Sequence, residues 1–183
     1  YASRGLGDVY KRQVELGVKT GRRGIEVNER YETSIPGIYA IGDVNGECML
    51  AHAATAQGER ILGSEVDVTV VPAAVFTVPE CSMVGLTEEQ CREQGIDYIA
   101  SKAMFRANGK ALAMGEVDGL VKLIVDKESR KILGCHICGP HAADIVQEIA
   151  LAISSQLTVD AVANTIHAHP TLGEVVRAAA STI

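Results

Sequence analysis

Gly119-Leu120-Val121-Lys122-Leu123-Ile124-Val125-Asp126, then Lys127-Glu128-Ser129-Arg130, then Lys131-Ile132-Leu133-Gly134-Cys135-His136-Ile137-Cys138, is the stretch that decides the fold. Two strand-like apolar runs flank four polar residues, which predicts an antiparallel hairpin. Working outward, Ala142 to Ser154 is a strongly apolar helix, with Ile145, Ile149 and Ile153 along one face and Val146 beside them. On the other side, Tyr98 to Phe105 predicts a strand, and Ala74 to Thr77 another that Pro79 halts. Between those two strands, Thr87 to Gln94 is a short helix with a Thr-x-x-Gln capping box and Gly95 as its stop. Residues 67–183 therefore read as an α+β domain, an antiparallel sheet with helices.

Composition narrows the function. The chain has 183 residues, 47% hydrophobic and 22% charged, as in ordinary globular proteins. Its net charge of −6 argues against a nucleic-acid surface. No apolar run reaches membrane-span length and no signal peptide is visible. The first residue is not Met, which fits a processed chain or a fragment. Five cysteines (Cys48, Cys81, Cys91, Cys135, Cys138) are an odd number, suiting a reducing, cytoplasmic compartment better than a disulfide framework. Cys135-x-x-Cys138 lies inside a strand, where residues three apart face opposite sides, so the pair reads as inert.

Upstream of a boundary between Glu65 and Pro72 the pattern changes. Ile25 to Tyr31 alternates and predicts a strand or ribbon. Thr33 to Gly37 is a turn, with Pro36-Gly37 set for a type II bend. Ile38 to Ile41 reads as a buried strand of a parallel sheet, ended by Gly42-Asp43. An alanine-rich helix follows from Met49 to about Gly63. A strand end, a loop and a helix start form a ligand-binding layout. Gly42 permits close approach, and Asp43 either accepts hydrogen bonds from sugar hydroxyls or merely caps the turn. The helix start near Leu50 to His52 offers free N–H groups and a positive dipole end. Residues 1–13 show no periodicity and read as a disordered or foreign tail, similar to translated adapter sequence.

The chemistry gathers at His167-Ala168-His169-Pro170-Thr171-Leu172-Gly173-Glu174. Thr158 caps a short helix to Asn164 that leads into it. Pro170 biases His169 to an extended conformation, and Thr171-x-x-Glu174 before Val175 and Val176 predicts a capping box at a new helix. An imidazole on a stiff corner, with a carboxylate one turn on, is how a general base is built. Glu174 alternatively does no more than serve its own capping box.

In order, these segments resemble the C-terminal part of the flavin-dependent pyridine nucleotide-disulfide oxidoreductases, and most closely their dihydrolipoamide-oxidising branch. Thr33 to Val44 with Met49-Leu50-Ala51-His52 is similar to the family's second FAD motif. Phe76 to Glu80 with Val84 to Thr87, Ala107 to Ala111, Ile132 to Pro140 and the closing HAHPTLGE follow in register. The resemblance covers residues 14–183 and implies a partial FAD-binding domain at 14–66 and a dimerisation domain at 67–183.

It implies site roles as well. Gly42, Asp43, Met49, Leu50, Ala51 and His52 would contact FAD, with Asp43 on the ribityl chain and the Leu50–Ala51 backbone at the flavin's pyrimidine end. His169 would be the acid/base toward a dihydrolipoamide thiol, Glu174 would orient it, and His167 would be structural. The implied enzyme is a homodimer whose His–Glu pair reaches the partner's flavin. It oxidises protein-bound dihydrolipoamide on lipoyl domains of 2-oxo acid dehydrogenase or glycine cleavage complexes, with NAD+ as acceptor. The family's redox cysteine pair, first glycine-rich motif and NAD-binding unit have no counterpart in these 183 residues, so the chain alone is expected to be inactive. The alternatives are a glutathione-reductase-like enzyme, a dimerisation module without activity, and, weakest, a metal site at His167, His169 and Glu174. Mercuric reductases are disfavoured, because the chain ends Ala-Ser-Thr-Ile rather than in paired cysteines.

Overall fold

The computed structural model describes residues 15–183, which fall into two compact units meeting between Val68 and Thr69. The segment read above as a tail, 1–13, lies outside the described residues.

The larger unit is a five-stranded antiparallel sheet: β1 (Ala73–Val75), β2 (Glu80–Gly85), β3 (Tyr98–Met104), β4 (Leu120–Asp126) and β5 (Ile132–Gly139), in the order β1-β2-β5-β4-β3. The β4–β5 hairpin is central, as its sequence predicts. Alternation sends Val121, Leu123 and Val125 of β4 and Cys135 and Ile137 of β5 into the core. The opposite face carries Lys122, His136 and Cys138 at half exposure. Lys122 Nζ reaches Glu88 Oε1 at 2.7 Å on that face.

Numbering only α-helices of the described residues, α1 is Ala51–Ile61, α2 Glu88–Glu93, α3 Gly109–Met114, α4 Ala142–Ser154, α5 Val159–Asn164 and α6 Glu174–Ala180. Helix α4 has the bounds its period predicts; it packs on β2 and β5 through Val146, Ile149, Ala152 and Ile153. Helix α6 covers β3 and β4 with Val175, Val176, Ala179 and Ala180. Phe105, fully buried, sits where β3 ends. A Cβ on Gly139 would clash with the edge of the Phe105 ring at Cε2, so β5 ends in glycine for the ring to pack.

Several local readings need correction. The sequence pattern predicts neither strand β2, whose buried Ser82 and exposed Met83 invert the usual polarity, nor helix α3, a single turn and a half begun by glycine. The Thr87 capping box forms with both bonds present, but Thr158 makes no side-chain cap. Its backbone is held in a bridge to Lys131, and the Arg130 carbonyl accepts the Val159 N–H at 2.9 Å, so the helix start is satisfied from the neighbouring turn. Arg130 also pairs with Asp160 through two bonds, at 2.6 and 2.7 Å.

The smaller unit corrects two predicted strands. Ile25 to Tyr31 is irregular, joined to its surroundings by an isolated bridge between Thr20 and Ile25. Ile38 to Ile41 is not in a parallel sheet, and of its four residues only Ala40 is buried. It bridges antiparallel to Glu32 through Tyr39, across the Pro36-Gly37 turn, where Gly37 has φ +79°. Ile38 and Ile41 stay 41% and 39% exposed. An apolar run is buried as a strand only where flanking strands cover it, and none of the described residues do so here. A small cluster of Val18, Ile25 and Ala40 holds this unit together.

Candidate active site

The corner after α5 is built from outside inward. Asn108, buried, caps α3 by accepting the Ala111 N–H at 2.9 Å, and its amide donates to the Thr171 carbonyl at 3.0 Å. Thr171 Oγ1 donates to the Ala168 carbonyl at 2.7 Å, closing the turn over Pro170; the His169–Pro170 bond is cis. With its hydroxyl so engaged, Thr171 does not cap α6. That helix begins at Glu174, after Gly173, with no side-chain cap. One half of the predicted capping box survives: Glu174 Oε2 accepts the Thr171 N–H at 2.8 Å.

This leaves Oε1 for His169. It lies 2.9 Å from Nδ1, so Glu174 serves both readings at once, one oxygen for each. The backbone bond from Thr171, followed by the bond to His169, holds its carboxyl below the usual carboxylate range. An ionised carboxylate only accepts, so Nδ1 carries the ring proton and Nε2 keeps its lone pair. The imidazole is 75% exposed and lines an open cleft of about 680 Å³ with Lys102, Arg106, Asn108, Gly109, Glu174 and Arg177. An imidazole held by a carboxylate at Nδ1 and otherwise largely exposed thus lines a cleft with three cations.

His167 is engaged differently. Its side chain is 9% exposed, with Nε2 3.0 Å from Glu148 Oε1 and Nδ1 3.0 Å from the Thr165 carbonyl. Both ring nitrogens are occupied, and the ring ties the corner to α4. The two histidines answer to different carboxylates, and no cluster of three or more metal-ligating side chains occurs among the described residues. Asn108 and Glu148 were not foreseen as parts of the corner. Asn before Gly109 and the Ala111-Leu112 run is a helix-cap signal for the first; nothing local marks the second.

The residues predicted for a cofactor sit together in the smaller unit. Gly42, at φ +71°, opens a turn of 3₁₀ helix, Gly42–Val44, and donates its N–H to Gln57 Oε1 at 2.8 Å. A Cβ there would come 3.0 Å from the Ala54 Cβ, so the turn lies close against α1 because residue 42 is glycine. Buried Asn45 completes the brace, donating to the Ala40 carbonyl and to Gln57 Oε1, each at 3.1 Å. Asp43, Met49, Ala51 and His52 are exposed, and Leu50 precedes α1 without a side-chain cap. An exposed carboxylate beside an uncapped helix start suits the hydroxyl-bearing and electron-rich parts of a flavin nucleotide. Cys135, by contrast, is buried and its thiol pushed up to about 12, which suits no redox role.

Residues 71–180 match the dimerisation domain of the pyridine nucleotide-disulphide oxidoreductases. The chain belongs to that family. A second match, to the pyridine nucleotide-disulphide oxidoreductase domain, covers residues 6–58 and begins inside the segment read above as foreign. The chain is 47% identical over 173 residues to a dihydrolipoyl dehydrogenase of Geobacillus stearothermophilus and 43% identical over 173 residues to one of Bacillus subtilis. Each alignment takes in 91% of this chain but 37% of the relative, so the chain spans well under half of those proteins. Among solved structures, LpdA from Mycobacterium tuberculosis superposes with a TM-score of 0.83 at 28% identity, over 99% of this chain and 40% of that one. The HOCl-induced flavoprotein disulfide reductase RclA from Escherichia coli gives 0.82 at 25% identity, over 91% of this chain and 40% of that one. The α+β architecture and the flavoprotein disulfide-reductase family therefore agree. No described helix is long and apolar enough to cross a membrane.

Proposed function

We propose that this chain supplies the acid–base half of a dihydrolipoyl dehydrogenase, which oxidises protein-bound dihydrolipoamide with NAD+ through a redox disulfide and FAD. The observation that carries the reading is the His169–Glu174 pair, 2.9 Å apart, with the exposed His169 ring lining the cleft. A dihydrolipoamide thiol donates its proton to Nε2, and the thiolate, the form that attacks disulfide sulfur, remains. Glu174 stabilises the imidazolium that results. Lys102, Arg106 and Arg177 favour the thiolate electrostatically. His167 holds the corner and stays out of the proton transfer.

In this reading residues 14–66 are part of the FAD-binding domain and 67–183 the dimerisation domain. Asp43 would hold the ribityl hydroxyls. The Leu50 and Ala51 amides would face the pyrimidine end, with Gly42, Met49 and His52 around it. Bound FAD supplies the electron acceptor for dithiol oxidation. The working unit is a homodimer in which the His169–Glu174 pair serves a site completed by a second copy. Its partners are the lipoyl domains of 2-oxo acid dehydrogenase or glycine cleavage complexes, in the cytoplasm, and the 183-residue chain alone turns nothing over. The 43–47% identity to dihydrolipoyl dehydrogenases favours this substrate over glutathione disulfide. The test is an assay of the flavin-loaded protein that carries this chain. NADH formation from dihydrolipoamide is expected; glutathione disulfide reduction without dihydrolipoamide turnover would overturn the reading.

A further inference from the structure

Outside the cleft, two more sulfurs meet on the sheet face opposite the core. Cys81 lies in β2 and Cys138 in β5, and they are direct cross-strand partners. Their Sγ atoms are 3.3 Å apart. The register defines the kind of pair. Leu86 donates its N–H to the Leu133 carbonyl, marking a hydrogen-bonded pair at that end of the ladder. Alternating pairs repeat the pattern, so Glu80 with Gly139 and Ser82 with Ile137 are hydrogen-bonded, and Cys81 with Cys138 falls between them. Non-hydrogen-bonded partners stand about 4.5 Å apart at Cα, within the span a disulfide bridges, roughly 4.4–6.8 Å. Both cysteines are half-exposed, whereas Cys91 and Cys135 are buried.

We propose that Cys81 and Cys138 are an oxidation site, a reversible cross-strand disulfide formed with a hydroperoxide as the oxidant. One thiolate attacks a peroxide oxygen, the O–O bond breaks, hydroxide leaves and a sulfenic acid forms. The neighbouring sulfur then attacks the sulfenic sulfur and displaces its oxygen as a second hydroxide. Two thiols and one hydrogen peroxide thus give one disulfide and two waters. The sulfurs are 57 residues apart in sequence, so the bond closes a long loop and fastens β2 to the central hairpin. A small dithiol reverses it by two successive exchanges. The Cys138 thiol is pushed up, first by its hydrogen bond with Cys81 and then by burial.

The test is mass spectrometry of the full chain after hydrogen peroxide treatment, denaturation and alkylation with N-ethylmaleimide. The expected result is that two of the five thiols escape alkylation, a peptide pair linked through Cys81 and Cys138 appears, and dithiothreitol restores both. In Cys81→Ser or Cys138→Ser all remaining thiols stay alkylatable. The oxidised wild type should also melt several degrees above the reduced one. Full alkylation of the wild type after a dose that oxidises free dithiothreitol would overturn the proposal. So would a disulfide through Cys48, a link between two copies, or over-oxidation of Cys81 in place of the bridge. The wild-type peptide map decides even if a serine variant fails to fold.

Discussion

Glu174→Gln separates the carboxylate from the shape of its side chain. Glu174 now gives one oxygen to the Thr171 N–H at 2.8 Å and one to His169 Nδ1 at 2.9 Å. Glutamine has one acceptor to divide between two donors. The backbone N–H cannot turn away, so the amide oxygen stays with Thr171 and the NH₂ faces His169. Nδ1 must then offer its lone pair, which moves the ring proton to Nε2, the atom that should receive the thiol proton. General-base catalysis contributes about 10²–10⁴ in rate, and a histidine held in the wrong tautomer forfeits most of it. Because the His169 ring is 75% exposed, water competes for both nitrogens and the productive tautomer keeps some population. The expected fall in kcat for dihydrolipoamide oxidation is therefore about 10²-fold, toward the low end of that range. The assay is steady-state turnover of the flavin-loaded protein, with flavin content and urea midpoint measured alongside. Turnover within about threefold of wild type, with flavin retained, would refute the orienting role; losses that small lie below what a removed base-orienter produces.

Asn108→Ala removes a helix cap and the donor to the Thr171 carbonyl together, so a loss of about 2 kcal/mol is expected in urea unfolding. The same variant should lower turnover, since it loosens the turn that carries His169. Glu88 is held below its ordinary value of 4.5, chiefly by its bond to Lys122. A lowered folded value means the stabilisation is present above pH 4.5 and disappears as pH falls through the folded value; Lys122→Met should flatten that part of the urea-midpoint profile. Cys135, with its thiol pushed up to about 12 by burial, should resist iodoacetamide in the native protein at pH 8 and react once urea is added. Rapid native labelling would contradict its placement in the core.

Much of the larger unit was legible because its signals are local and repeated. The β4–β5 hairpin announces itself by alternation on both sides of a polar turn, and α4 by a period sustained from Ala142 to Ser154. Strand β2 escaped because its polarity is inverted, polar Ser82 being buried with its hydroxyl on the Ala142 carbonyl while apolar Met83 is exposed; its place is decided by pairing with β1 and β5. In the smaller unit the error ran the other way. Ile38 to Ile41 has the composition of a buried strand, but a strand is made by its neighbours, and among the described residues it finds only an isolated bridge to Glu32 with flanking bonds to Tyr31 and Thr33. Capping residues failed at Thr158, where the Arg130 carbonyl and the Lys131 bridge fix the helix start, and at Thr171, whose hydroxyl is spent on the Ala168 carbonyl. The His169–Glu174 pair was legible as a likeness of spacing. That one carboxylate serves the ring and the turn together, with Asn108 bracing the turn from β3's end, required the three-dimensional arrangement.

The most direct measurement is the reductive half-reaction of the flavin-loaded protein, followed by rapid mixing with dihydrolipoamide, in wild type and in His169→Gln. If Nε2 takes the thiol proton, the variant keeps its flavin and is reduced about 10²-fold more slowly or worse. Its rate should then rise with pH as the thiol ionises unaided. Reduction at the wild-type rate, with the wild-type pH profile, would contradict the assignment of His169 as the base.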